Sequence, residues 1–190
     1  MTEICLVRHG QTDWNFNNII QGREDIPLND IGKQQAKDSA KFLSEKEWDS
    51  IITSPLGRAK ETAKAIAEFT KMDAIIEDER FLEREFGEAS GKSVSEFHER
   101  IYNNDVVGME TNENLMDRAF SALKDIAEKN DGKRIVIVAH SHTIKAILYA
   151  IDPEKVNFRT TLKNACANFI EFKDGKWNII DFNISNHIKS

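Results

Sequence analysis

The sequence predicts an α/β fold, a three-layer αβα sandwich with a largely parallel central sheet and a C-terminal antiparallel hairpin. Three observations predict it. Apolar, β-branched runs recur along the chain without alternating, as strands covered on both faces do. Between them lie stretches with apolar residues three and four apart, the period of a helix with one buried face. Near the C-terminus two strand-like runs flank Asp174-Gly175, the residue pair of a two-residue hairpin turn.

In chain order, ICLV (4–7) is the first strand, and Ala36, Ala40 and Leu43 mark the first helix face. SIIT (50–53) follows as a second strand. Ser54-Pro55 then suits a helix start, with serine at the N-cap and proline at the first helical position, ahead of the stripe Ala59, Ala63, Ile66. AIIE (74–77) is a weaker strand. The stretch 86–112 is the least regular, with a short helical pattern at Ser95–Tyr102, and is expected to form a small cap excursion over one end of the sheet. Leu115, Ala119, Leu123 and Ile126 make the next helix stripe, RIVIVA (134–139) the next strand, and Ile144, Ile147, Leu148 and Ile151 the helix after it. NFIEFKDGKWNIIDF (168–182) closes the chain as a hairpin. Three prolines, no repeat and no glycine-rich linker make residues 1–190 one expected domain.

Composition narrows the function. Of the residues, 40% are hydrophobic and 31% charged, as in water-soluble globular proteins, and the net charge of −6 gives no pull toward nucleic acid or an acidic membrane. Two cysteines, one inside the first strand, make no disulfide framework. The chain enters a strand at once, without a basic-then-apolar leader, and no apolar run has membrane-spanning length, so a cytoplasmic location is expected.

In open α/β sheets, ligands bind at the carboxyl ends of the strands, where helix N-termini also point. The first strand delivers Arg8-His9-Gly10 to that edge. The second delivers SPLGR, with Arg58 in the first turn of the next helix, and RIVIVA delivers His140-Ser141-His142. Arginine forks match phosphate oxygens, and imidazole serves as nucleophile, acid or donor near neutral pH. No GxxxxGK[ST] or GxGxxG is present, so a small phosphorylated metabolite is a better candidate than a nucleotide. Each piece alone has a plainer reading: RHG as a chance turn, Arg58 as a solvated helix residue paired with Glu61, His140 as a core histidine. Three such strand ends together favour an anion site.

LVRHGQTDWN (6–15), QGREDIPLNDIGKQQA (21–36), SPLGRAKETA (54–63), FLEREFGEASG (81–91) and VAHSHTIKAIL (138–148) resemble, in order, the blocks of the histidine phosphatase superfamily. That family includes the cofactor-dependent phosphoglycerate mutases. The resemblance covers most of the chain and is thinnest over 92–133. It implies that His9 carries a covalent phosphoryl group, and that Arg8, Arg58 and His140 hold the non-bridging oxygens, with Asn15 as a neutral donor. Glu83 would protonate the leaving alcohol and then activate water. Gln21 and Gly22 fall where the family contacts substrate. Spacing alone does not choose between Glu83 and Glu85, which share a face of an extended segment. Ser141 can offer its backbone N–H to phosphate and cap the next helix. His142 is either a packed helix-start residue or a pocket wall, with protonation disfavoured near a helix N-terminus.

No cofactor and no metal is implied, and inorganic phosphate is the expected product. The family's mutases carry a longer insertion with paired arginines after the glutamate block. Here Arg84 and Arg100 are the only arginines between Glu83 and Leu115. Hydrolysis of a phosphomonoester is therefore expected, with phosphoglycerate mutase as the alternative. The sequence departs from the family at Arg23, Ala89-Ser90 and Ser141, all near the expected pocket mouth. Two readings of other classes remain: a metal hydrolase using the HxH pair, for which His98 and His187 are poor third ligands, and a non-catalytic phosphate binder.

Overall fold

The computed structural model describes residues 1–189; Ser190, the last residue of the expected 1–190 domain, lies outside them. The elements run β1 (Thr2–Arg8), α1 (Asp13–Phe16), α2 (Asp30–Leu43), β2 (Ser50–Thr53), α3 (Gly57–Thr70), β3 (Ile75–Glu77), α4 (Val94–Tyr102), α5 (Asn112–Lys129), β4 (Arg134–Ala139), α6 (Ser141–Ile151), β5 (Ala167–Lys173) and β6 (Lys176–Ile184). The six strands form one sheet in the order β3-β2-β4-β1-β5-β6. β1 through β4 are mutually parallel, while β5 runs antiparallel to both β1 and β6. The expected sandwich with a largely parallel sheet and a terminal hairpin is the fold observed.

Strand pleat divides the core. Ile4 and Leu6 of β1 and Ile135 and Ile137 of β4 face one side, where α5 and α6 supply Leu123 and Ile147. Cys5, Val7, Val136 and Val138 face the other, against α2 and α3. Both faces of β1 and β4 are thus dry, which is why their sequences do not alternate. At the hairpin turn Asp174 and Gly175 both have positive φ, as a type I′ turn requires.

Register builds the functional edge. Arg8 lies opposite Ala139, so the residues that follow them, His9 and His140, emerge side by side. His9 N–H also donates to Ala139 O at 3.1 Å, and Ser54 N–H to Val138 O at 3.0 Å, which brings the end of β2 to the same edge. In the stretch 86–112, Phe86, Phe97, Ile101 and Val106 form a small cluster of their own with Ile20.

Two expected helix starts lie elsewhere. Ser54-Pro55 precedes α3 rather than opening it; Leu56 is the N-cap, and the Ser54 hydroxyl turns toward His140. α6 is capped by the extended His140, so Ser141 is its first residue and not its cap.

Candidate active site

Of the ten residues the sequence nominates, all but His140 line one pocket of about 240 Å³ at the carboxyl edge of the parallel strands. A larger hollow of about 660 Å³, lined by Met1, Lys133 and Arg134 among others, lies at the opposite end of β1 and β4 and collects none of them. Chemistry rather than volume picks out the site.

His9 is 2% exposed, and its Nδ1 lies 2.7 Å from Gly10 O. A carbonyl only accepts, so Nδ1 carries the proton and Nε2 presents the lone pair. Gly10 is itself fixed in place, since its N–H donates to Thr62 Oγ1 at 3.1 Å, and a Cβ on it would run into the Gly32 backbone. Burial, reinforced by Arg58 and Arg8, holds the His9 imidazole well below its ordinary value, so the ring is neutral at physiological pH.

Arg58 is almost fully buried. Its Nε donates to His9 Nε2 at 3.3 Å, and its Nη atoms donate to Glu24 O and Gly22 O, each at 2.6 Å. Gly22 turns its carbonyl to that guanidinium from a positive-φ conformation. Burial lowers Arg58 to about 10, which leaves it cationic at neutral pH. Its plainer reading, a solvated partner of Glu61, is therefore not what the fold does with it.

His140 is fully buried, its ring centroid 5.2 Å from that of His9. Ser54 Oγ accepts from Leu56 N–H at 3.4 Å and lies 2.7 Å from His140 Nε2. Nδ1 has no protein partner, and in the tautomer where the serine hydroxyl donates to Nε2 it carries a proton free for the anion. Burial, then Arg58 and His9, hold this imidazole well below its usual range. It is a neutral ring and not a second cation.

Asn15 is set by a capping box on α1. Thr12 N–H donates to its Oδ1 at 3.1 Å while Thr12 Oγ1 accepts from Asn15 N–H. Asn164 Nδ2 also donates to Oδ1, at 3.2 Å. With the oxygen taken, the amide nitrogen is the group left to donate. Gln21 is oriented likewise, its Oε1 accepting from Thr12 Oγ1 at 2.7 Å.

Glu83 is 7% exposed and lies at the N-terminus of α6. Its Oε1 accepts from Arg84 N–H at 2.9 Å and Thr143 N–H at 3.1 Å, the Thr143 hydroxyl going to Leu82 O at 2.8 Å; its Oε2 accepts from His142 N–H at 3.2 Å. Oε1 is saturated, so Oε2 is the oxygen able to exchange a proton. Glu85 instead accepts from Gly87 N–H, which separates the two candidates that spacing left open. Arg118 of α5 holds the Glu83 segment from behind, donating to the carbonyls of Arg80, Leu82 and Glu83 and to the Glu110 carboxylate. Burial pushes Glu110 up, but Arg118 and Arg23 outweigh it and hold its carboxyl below the usual range. Arg118→Ala strips these bonds and leaves the half-buried Glu110 carboxylate only the more distant Arg23, at 3.8 Å. It is expected to cost about 1–3 kcal/mol in urea unfolding, with kcat falling more than KM changes; Arg118→Lys, which keeps the charge but not the fork, recovers only part of both.

His142 stands at the pocket wall among aromatic rings. Phe86 meets it edge-on at 5.0 Å, and Tyr102 and Phe158 lie at 6.4 and 6.0 Å. Its Nδ1 has no partner, and burial, then Lys145 and Arg84, keep it neutral. Its two sequence readings merge: packed at the helix start, it also forms part of the wall.

Sequence reasoning missed the supports: Thr12, Asn164, Thr143, Arg118 and the pocket lysine Lys145. Thr12-x-x-Asn15 was visible as a capping-box spacing, and Lys145 as one charge within the apolar run IKAIL. The others act across long sequence separations.

The family model described as the histidine phosphatase superfamily (branch 1) matches residues 4–185. The chain is 43% identical to an uncharacterised phosphatase of Bacillus subtilis, over 99% of this chain and 97% of that one. It is 34% identical to a metal-independent phosphoserine phosphatase of Arabidopsis thaliana, over 100% and 84%. A phosphoserine phosphatase variant from Entamoeba histolytica, solved with phosphoserine, superposes over 100% of both chains with a TM-score of 0.89 at 26% identity.

Proposed function

The chain belongs to the histidine phosphatase superfamily, and we propose that it is a phosphatase that hydrolyses a small phosphomonoester through a phosphohistidine on His9. The observation that carries this reading is the fixed tautomer of His9, whose Nδ1 is committed to Gly10 O while Nε2 faces Arg58.

Nε2 attacks phosphorus as the ester P–O bond breaks, and the leaving alkoxide takes a proton from Glu83 Oε2. The imidazolium formed still donates Nδ1–H to the Gly10 carbonyl, which offsets its charge. Water then attacks phosphorus and gives its proton back to Glu83. The N–P bond breaks, inorganic phosphate leaves, and neutral His9 returns. Arg8, Arg58, the Asn15 amide and His140 Nδ1–H meet the oxygens on which charge accumulates, which is most of the catalysis in a loose phosphoryl transfer.

Three further observations support the reading. Among the described residues no three His, Cys, Asp or Glu side chains gather as metal ligands, which leaves the HxH pair without partners for a metal route. Among the same residues no helix is long and apolar enough to cross a membrane. Arg84 and Arg100, the arginines that could have gripped a mutase's bisphosphate, are spent on Glu110 O and Asn104 and on Glu88. A panel of phosphoglycerates, phosphoserine, sugar phosphates and nucleoside monophosphates, assayed for phosphate release, tests the proposal. Release is expected for at least one small ester and is expected to survive exhaustive chelation. Interconversion of phosphoglycerates without release would instead favour a mutase.

A further inference from the structure

His187 stands in the segment after β6, outside the active-site pocket, yet it is tied firmly into the fold. Its ring stacks on Phe42 of α2, with centroids 4.5 Å apart and planes 4° apart. Its Nε2 lies 3.0 Å from Ser39 Oγ on the same helix, and nearby Lys189 N–H donates to the Asp38 carboxylate at 2.9 Å. The other contact of Ser39 fixes the direction of its bond to His187. Ser39 Oγ, fully buried, lies 2.6 Å from Ala165 O, and a carbonyl only accepts, so the one hydroxyl proton goes there. Ser39 then accepts from His187, which puts a proton on Nε2. Burial, against the pull of the Ala165 carbonyl and Asp38, holds the ring below its ordinary value. Nε2–H donates in either charge state.

Ala165 is where this contact reaches the catalytic machinery. Its φ is +58°, in the left-handed region that a Cβ disfavours, so its conformation persists only where the surroundings fix it. They fix it on both sides. Its carbonyl takes the Ser39 hydroxyl, and its N–H donates to His9 O at 3.1 Å. The neighbouring Asn164 Nδ2 donates to the same His9 carbonyl and to Asn15 Oδ1, each at 3.2 Å. One turn thus grips the backbone of the nucleophile and the side chain of a phosphate donor together. Three successive hydrogen bonds, from His187 to Ser39, from Ser39 to Ala165 and from Ala165 to His9, connect a residue outside the pocket to the attacking group. Where catalysis is mostly positioning, a small displacement of that turn costs rate.

We propose that His187 is a positioning residue, whose Nε2–H, acting through Ser39, holds the Asn164–Ala165 turn that sets His9 and Asn15. The proposal rests on the phosphatase reading for its turnover assay but not for its exchange assay. In the full chain, His187→Phe keeps the stack on Phe42 and removes the donor, while His187→Gln keeps a donor near Nε2 and removes the stack. His187→Phe is expected to lower kcat about three- to ten-fold. KM should change less, because Arg58 takes its shortest bonds from Gly22 and Glu24, away from this turn. His187→Gln should recover most of the loss. Ser39→Ala should cost a similar factor and add little on top of His187→Phe, since both cut one series of bonds. Hydrogen exchange at the Ala165 amide reads the same latch without turnover, faster in His187→Phe and near native in His187→Gln. If the native chain releases phosphate from no ester yet exchange follows this pattern, the phosphatase reading fails and the latch stands. Native kcat and native exchange in His187→Phe, or a loss in His187→Gln that His187→Phe does not share, would make His187 a packing contact and overturn the proposal. Losses from Ser39→Ala and His187→Phe that multiply would overturn it too.

Discussion

His9→Ala is expected to lower turnover by on the order of 10⁴-fold or more, and to abolish a phosphoenzyme that the native chain forms. The size follows from what is removed. Arg58 and Arg8 can still collect a phosphate dianion, but His9 is the pocket imidazole whose lone pair meets Arg58; His142 and His98 pack among aromatic rings, Ser54 points at His140 and both cysteines are buried. A fast alkaline quench of native enzyme with labelled ester should trap a base-stable, acid-labile adduct that maps to His9. An adduct on serine or cysteine, or one that persists in His9→Ala, would sink the mechanism. The pH profile gives an independent check. Burial and the flanking arginines keep His9 neutral far below its usual range, so its protonation removes the nucleophile only at pH well under 6.5. An acid limb of kcat/KM near pH 6 therefore belongs to the second ionisation of the phosphate ester, and should move when an ester of different pKa is used. A limb fixed at 6.5 for every ester would contradict the buried, neutral imidazole.

The legible part of this molecule was whatever lies close in sequence or repeats with a period. Dry strands read as unbroken β-branched runs, and each helix by its stripe, because burial acts on every turn alike. His9, Arg58 and His140 were legible because strand ends deliver ligands in this architecture. Their state was not. That His140 Nε2 is held by a hydroxyl follows from Ser54, 86 residues away, and the orientation of the Asn15 amide follows partly from Asn164, 149 residues away. Local rules also misplaced Ser54. Ser-Pro is a good helix opening in isolation, but here the hydroxyl has a stronger claim on it from a buried imidazole, and the helix begins at Gly57. Lys145 reads differently once folded. In the sequence it is one charge in an apolar stripe; in the fold it is a cation lining the pocket that holds Glu83 and His9.

Glu83→Gln should divide the reaction into its two halves. The glutamine is nearly isosteric, and its oxygen can keep the two backbone donors that now saturate Oε1. Its amide group then takes the place of Oε2, facing His142 N–H where an acceptor stood. The local cost is one hydrogen bond, while the proton exchanged with the leaving group is lost altogether. For an alkyl ester, whose alkoxide cannot leave unprotonated, kcat is expected to fall by about 10² to 10⁴-fold, the usual worth of a positioned acid. For p-nitrophenyl phosphate the phenolate departs without help, so His9 should still be phosphorylated. The second half then fails, because water attacking phosphohistidine finds no base. The expected record is a burst of about one nitrophenolate per chain followed by slow turnover, with phosphoenzyme accumulating on His9. Equal losses on the two esters with no burst would show that Glu83 only shapes the pocket. Loss on the alkyl ester alone, with fast steady turnover of the aryl ester, would keep Glu83 as the acid but assign the activation of water to another group.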